Sequence, residues 1–139
     1  MPFATTIKLK QVELQGLPEQ TISTGEVAAA ISNAVVKIYT EHHGRGPTKS
    51  KTYLFDDVIV TVMEESAATL ERTLTEAGEE ELVQTVRSHV QGAVADQLRG
   101  SVEEITGRRV RAFLSATEVE PDIKCDVFLL EPEAAEQQD

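Results

Sequence analysis

From residue 24 onward the apolar positions of the chain fall into two rhythms, one of threes and fours and one of twos. Val27, Ile31, Ala34, Val35 and Ile38 recur at helical intervals and share one stripe. Ser23 and Glu26 stand ahead of them at capping-box spacing, which predicts a helix from about 24 to 43. Gly44 suits a left-handed helix end and Pro47 stops the helix from resuming. A longer stripe runs through Leu82, Val83, Val86, Val90, Ala93, Val94, Leu98, Val102 and Ile105, closed by Gly107. It predicts a helix over 79–106, roughly 40 Å long at 1.5 Å per residue. Between the two, Leu70 and Leu74 lie one turn apart and predict a short helix over 66–75 with a narrow apolar inner face.

The rhythm of twos marks strands. Residues 52–55 and 58–63 are rich in β-branched and aromatic side chains, and Asp56-Asp57 between them fits a tight turn, so they predict a hairpin. Residues 110–117 and 123–130 predict a second hairpin, with Pro121-Asp122 in its connection. Val110, Leu114 and Ala116 share one phase and Ile123, Cys125, Val127 and Leu129 another. That assignment leaves Phe113, Phe128 and Leu130 for an outer sheet face that a homodimer would bury. The order α-β-β-α-α-β-β predicts an α+β, two-layer sandwich, with an antiparallel sheet of about four strands and the long helix packed on one face. Residues 1–22 read as an N-terminal arm or extra strand, 23–131 as the domain and 132–139 as an acidic, disordered tail.

Composition narrows the function classes. The 139 residues suit one domain, and 40% hydrophobic with 27% charged residues is a globular mixture. A net charge of −11 repels phosphate backbones and acidic lipid, so no nucleic-acid partner is expected. Cys125 is the lone cysteine, which rules out an intrachain disulfide and a cysteine zinc site and suits a reducing cytoplasm. No signal-peptide pattern and no run of about eighteen apolar residues is present, so a soluble, cytoplasmic chain is expected.

Candidate chemistry is sparse. Gly44-Arg45-Gly46 would let backbone N–H groups and one guanidinium cradle an anion, or else form a helix end and turn with a solvent-facing arginine. Arg108, Arg109 and Arg111 form the densest basic patch, which would grip a carboxylate or phosphate, or else pair internally with Glu103, Glu104 and Glu118. Gly44, Arg45, Gly46, Arg108, Arg109 and Arg111 are thus the candidate anion-binding residues. His42 and His43 diverge too far on a helix to chelate one metal and suit its C-terminal dipole. Cys125 reads as a small core residue. The acidic pairs Asp56-Asp57, Glu64-Glu65 and Glu103-Glu104 do acid–base or metal chemistry only where separate elements converge. No catalytic residue, metal ligand or cofactor is expected.

Several segments together resemble the MpsC family over about residues 24–132. They are 31–37 (Ile-Ser-Asn-Ala-Val-Val-Lys), His43-Gly44-Arg45-Gly46-Pro47 leading to Thr52-Tyr53, Leu70 to Leu74 with Gly78, 102–110 (Val-Glu-Glu-Ile-Thr-Gly-Arg-Arg-Val) and Val127 to Leu130. Residues 1–20 look like an addition, and Ala116 stands where an acidic residue is expected. The resemblance implies a noncatalytic cytoplasmic accessory or regulatory protein beside a membrane cation and bicarbonate transport system, peripheral to the membrane through a partner. The leading reading from the residues is action by protein contact, without catalysis, with anion sensing by the arginines above. A small metal- or ligand-binding protein or enzyme using Glu64, Glu65 or Asp56, and a structural homo-oligomer, are the alternatives.

Overall fold

The computed structural model of the chain describes residues 6–8 and 21–132. Strand β1 (Thr6–Lys8) pairs antiparallel with β2 (Thr21–Ser23), and the chain then enters α1 (Thr24–His43). There follow β3 (Lys49–Phe55), β4 (Val58–Glu64), α2 (Thr69–Glu76), α3 (Glu80–Thr106), β5 (Val110–Glu118) and β6 (Ile123–Leu130). The last four strands form one antiparallel sheet in the order β3-β4-β6-β5, with the helices on one face, which is the expected α+β sandwich. Of the arm predicted over 5–14, residues 6–8 are strand; its remainder and the tail from 133 lie outside the described residues.

Local signals set the helix ends. Ser23 Oγ accepts from the Glu26 amide at 3.2 Å and Glu26 Oε1 accepts from the Ser23 amide at 3.4 Å, so the capping box is formed. Gly44 closes α1 at φ 78°, a left-handed conformation that strains any residue with a Cβ, and Gly107 closes α3. Val27, Ile31 and Val35 of α1 and Val94, Leu98 and Val102 of α3 then pack on Ile59, Phe128 and Leu130 of the sheet. Each such side chain contributes about 1.5–3 kcal/mol by leaving water.

Strand register assigns every side chain to a face. On the helix side, Leu54, Ile59, Phe128 and Phe113 form an apolar row across the four strands. The next row is polar throughout: Thr52, Thr61, Asp126 and Ser115. The row after that holds Ser50, Met63, Lys124 and Thr117. The opposite face reverses this arrangement. Its rows read Phe55, Val58, Leu129, Ala112, then Tyr53, Val60, Val127, Leu114, then Lys51, Val62, Cys125, Ala116. Only the last row, Lys49, Glu64, Ile123 and Glu118, is mainly charged. No described helix packs there, and Tyr53, Phe55 and Leu114 are 40%, 46% and 56% exposed.

Four expectations are corrected. Phe128 and Leu130 are 0% and 3% exposed and face the helices, with Phe113 packed beside them, so they are not on the outer face. Strand periodicity separates two faces without saying which is covered, and here both phases of β6 carry apolar residues. Cys125 accordingly sits half-buried on the outer face, outside the core cluster. In α2 the inward residue is Glu71, while Leu70 is 69% exposed. In the first half of α3 the buried stripe runs Val83, Arg87, Gln91, Val94, leaving Leu82 and Val86 exposed, because carboxylates from elsewhere in the fold meet Arg87 inside.

Candidate functional site

Four elements meet at the charged end of the sheet, and each sends one ionisable side chain inward. Arg87 of α3 is 0% exposed, a position tolerated only with full pairing. Its Nε and Nη2 donate to Glu71 Oε1 at 3.3 and 3.1 Å, and Nη2 also donates to Asp122 Oδ1 at 3.0 Å. Nη1 donates to Thr117 Oγ1 at 2.8 Å and to the Glu118 carbonyl at 3.2 Å. All five guanidinium N–H bonds are thereby used. The second Glu71 oxygen meets His43 Nε2 at 2.9 Å, which ties the last turn of α1 to α2.

Asp122, in the β5–β6 connection, works on both sides. While Oδ1 takes Arg87, Oδ2 accepts from the Ala67 amide at 2.8 Å, and the Asp122 carbonyl accepts from the Glu65 amide at 3.1 Å. Glu65 itself has φ 60°, an uncommon left-handed conformation for a residue with a side chain. Arg45 reaches the same loop and donates from Nη1 to the Glu65 and Ala67 carbonyls at 3.1 and 2.6 Å. His43, Glu71, Arg87, Asp122 and Arg45 thus clamp α1, α2, α3 and the second hairpin together. A cavity of about 200 Å³ lies beside the clamp, with Arg87 and Asp122 on its inner wall and Arg72, Glu65, Glu76 and Glu120 among its other linings.

Burial would raise the Glu71 carboxyl, but the hydrogen bonds from His43 and Arg87, with the charge of Arg87, outweigh it and hold the group at about 2. Glu71 is therefore an anion at any physiological pH, as a buried partner of Arg87 must be.

The polar row next to the clamp is a second buried group. Tyr39 Oη donates to Asp126 Oδ2 at 2.8 Å, and Ser115 Oγ donates to the other carboxylate oxygen. Thr52 Oγ1 carries the chain of hydroxyls on, to Thr61 at 2.9 Å and Ser32 at 2.6 Å. Lys124 is 1% exposed and places its ammonium 4.1 Å from the centre of the Tyr39 ring, a cation–π contact. Burial pushes Asp126 up and Lys124 down, while the charge of each pulls the other back toward its ionised form. Burial and the neighbouring Asp126 raise the Tyr39 phenol, which stays protonated as a donor.

The residues singled out in the sequence are dispersed by the fold. Gly44 is the α1 cap, and Gly46 passes so close to Thr40 Oγ1 that a Cβ there has no room. Arg45 spends its charge on backbone carbonyls. Arg108, at the far end of the sheet, pairs with Asp57 and donates to the Glu131 and Asp56 carbonyls at 2.9 and 3.3 Å. Glu103 accepts from the Val110 amide at 2.8 Å and Glu118 offers its carbonyl to Arg87, so the internal pairing expected for the arginine patch runs through Asp57 instead. Arg109 and Arg111 are exposed. The patch and the Arg45 loop are not brought together. Glu71, Arg87, Asp122, Lys124 and Asp126 were missed by sequence reasoning, although Arg87 falls on the stripe Val83, Arg87, Gln91, Val94, where an arginine demands buried partners.

Among the described residues no group of three or more His, Cys, Asp or Glu could hold a metal ion, and no helix is long and apolar enough to cross a membrane. No curated protein and no solved structure matches the chain. The family model described as Na+-translocating membrane potential-generating system (MpsC) matches residues 23–132, the stretch that holds the capped helices, the sheet and the clamp, and the chain belongs to the MpsC family.

Proposed function

We propose that this chain is a noncatalytic accessory protein of a Na+-translocating, membrane potential-generating system and acts by protein contact. The family supports the association with such a system. The observation that carries the contact role is the outer face of the sheet, where three successive rows present apolar side chains, with Lys51 as the one charge among their paired residues and the exposed Arg111 beside Ala112 at the β5 bulge. Monomeric soluble proteins seldom leave so continuous an apolar surface open, because each side chain kept in water forfeits its burial free energy. The ionisable groups of the clamp support the same reading from the other side. Arg87, Glu71 and Asp122 are committed to one another, as suits a rigid frame for a contact surface.

The test is affinity capture from the native membrane fraction with the tagged chain. Membrane-spanning cation-transport subunits are expected with the wild type, and at least about tenfold less of them with Leu114→Glu, which sets a charge among the apolar rows on the edge strand β5. Leu114 is 56% exposed, so the substitution leaves the core intact. Capture of no such subunit, or equal capture by the variant, would reject the reading.

A further inference from the structure

The occupant of the outer face follows from how its charges and its large and small residues are distributed. We infer that a second copy of this chain covers it, related by a two-fold axis that lies between the sheets along the strands. The inference rests on the reading of this face as a contact surface: the face joins two copies, the pair is what engages the membrane subunits, and Leu114→Glu lowers capture by breaking the pair.

Two sheets facing each other about 10 Å apart are related by a two-fold axis within the interface, either along the strands or across them. An axis along the strands keeps each row in place and exchanges the edges, so β3 of one copy lies over β5 of the other and β4 over β6. In the outermost, charged row, Lys49, whose Nζ is 3.8 Å from Glu65 of its own chain, then meets the partner's Glu118. Glu64 lies over Ile123 at the end of the interface, where water still reaches it. In the next rows Lys51 lies over Ala116, Tyr53 over Leu114 and Phe55 over Ala112, so the larger side chains of one edge meet the smaller ones of the other. Under this operation the two edges are complementary in charge at Lys49 and Glu118 and in bulk along the rows of Tyr53 and Phe55. An axis across the strands would instead lay Lys49, Glu64 and Glu118 against the apolar row of Phe55, Val58 and Ala112, which strands charges in a dry interface.

The area agrees. Four strands about 4.8 Å apart and seven residues of about 3.4 Å each give a flat footprint of roughly 450 Å² per copy. Two copies cover about 900 Å² before side-chain relief is counted, close to the ~1,000 Å² that a specific interface needs. Exposure of Tyr53, Phe55 and Leu114 in the single chain is what a second copy would remove.

Sedimentation equilibrium or light scattering across a concentration series of the full chain tests this. The wild type is expected as a dimer. Val127→Glu, at the centre of the face, should weaken association at least about 100-fold, with circular dichroism reporting that the fold is kept. Because that variant risks the fold, exposed charges supply a second measurement: Lys49→Glu and Glu118→Lys should each weaken the dimer about tenfold, and the double exchange should restore it. A monomeric wild type at every concentration, a dimer indifferent to Val127→Glu, or a double exchange without recovery overturns the inference. A monomer that still captures membrane subunits overturns the two-fold dimer and leaves the accessory role standing. A dimer that captures none supports the inference while removing that role.

Discussion

The two faces of the sheet invert the usual arrangement. The covered face carries Thr61, Lys124 and Asp126 among its buried residues, whereas the uncovered face carries valines, leucines and aromatics. The difference teaches that burial follows partners as well as polarity. On the inner face the buried ionisable groups meet specific counterparts, although the neutral Ser50 Oγ and Gln91 Nε2 do not: Arg87 has Glu71 and Asp122, Asp126 has Tyr39 and Ser115, and Lys124 has the Tyr39 ring. On the outer face no described helix covers the apolar rows, and Leu114 remains 56% exposed. Inside, the chain spends specificity on holding three helices to the sheet; outside, it leaves a surface whose hydrophobic gain is still to be collected.

The contrast is broken most severely at its centre. Arg87→Met removes the cation and leaves the buried Glu71 with His43 alone and the half-buried Asp122 without its guanidinium, which should lower stability by about 3–5 kcal/mol in chemical denaturation. An effect below about 1 kcal/mol would mean that the clamp contributes nothing specific.

Acid should dissolve the same region by a calculable amount. Glu71 is depressed from 4.5 to about 2, so its contribution is complete above the unfolded value and fades as pH falls through that interval. At roughly 1.4 kcal/mol per unit the loss amounts to about 3 kcal/mol. Asp126, raised by burial, runs the opposite way, since its ionisation costs stability as pH climbs through the carboxylate range. The two are separated by Glu71→Gln: its stability should be lower at neutral pH and should no longer fall from about pH 5 to 2, leaving the opposite slope of Asp126. A wild-type slope that persists unchanged in the variant would assign the acid sensitivity elsewhere.

At the small end, Leu114→Ser should change the stability of the dilute, dissociated chain by no more than about 0.5 kcal/mol, measured by denaturation at the lowest usable concentration. A loss of several kcal/mol there would show that the outer face is packed within one chain, and the comparison between the faces would fail.

Much of the architecture was legible before any coordinates. The Ser23–Glu26 box, Gly44, Gly107 and the Asp56-Asp57 turn are short-range signals, and each marks an element end within a residue or so of its place. The sidedness of β6 was not legible. Its apolar phase Ile123, Cys125, Val127, Leu129 looks like a core strand, yet it is the other phase, with Lys124 and Asp126 in it, that lies under the helices. The clamp was hidden for a related reason: His43, Glu71, Arg87 and Asp122 come from four separate elements, and no local pattern announces their convergence.

By itself, then, the sequence determined the elements, their ends and the family, because caps, turns and periodicities act over a few residues along the chain. The tertiary structure alone decided which sheet face is covered, that Arg87 points inward, and that Arg45 donates to the Glu65 and Ala67 carbonyls. Those choices depend on free energies of pairing and desolvation between groups far apart in sequence, and they exist only once the helices have closed over the sheet.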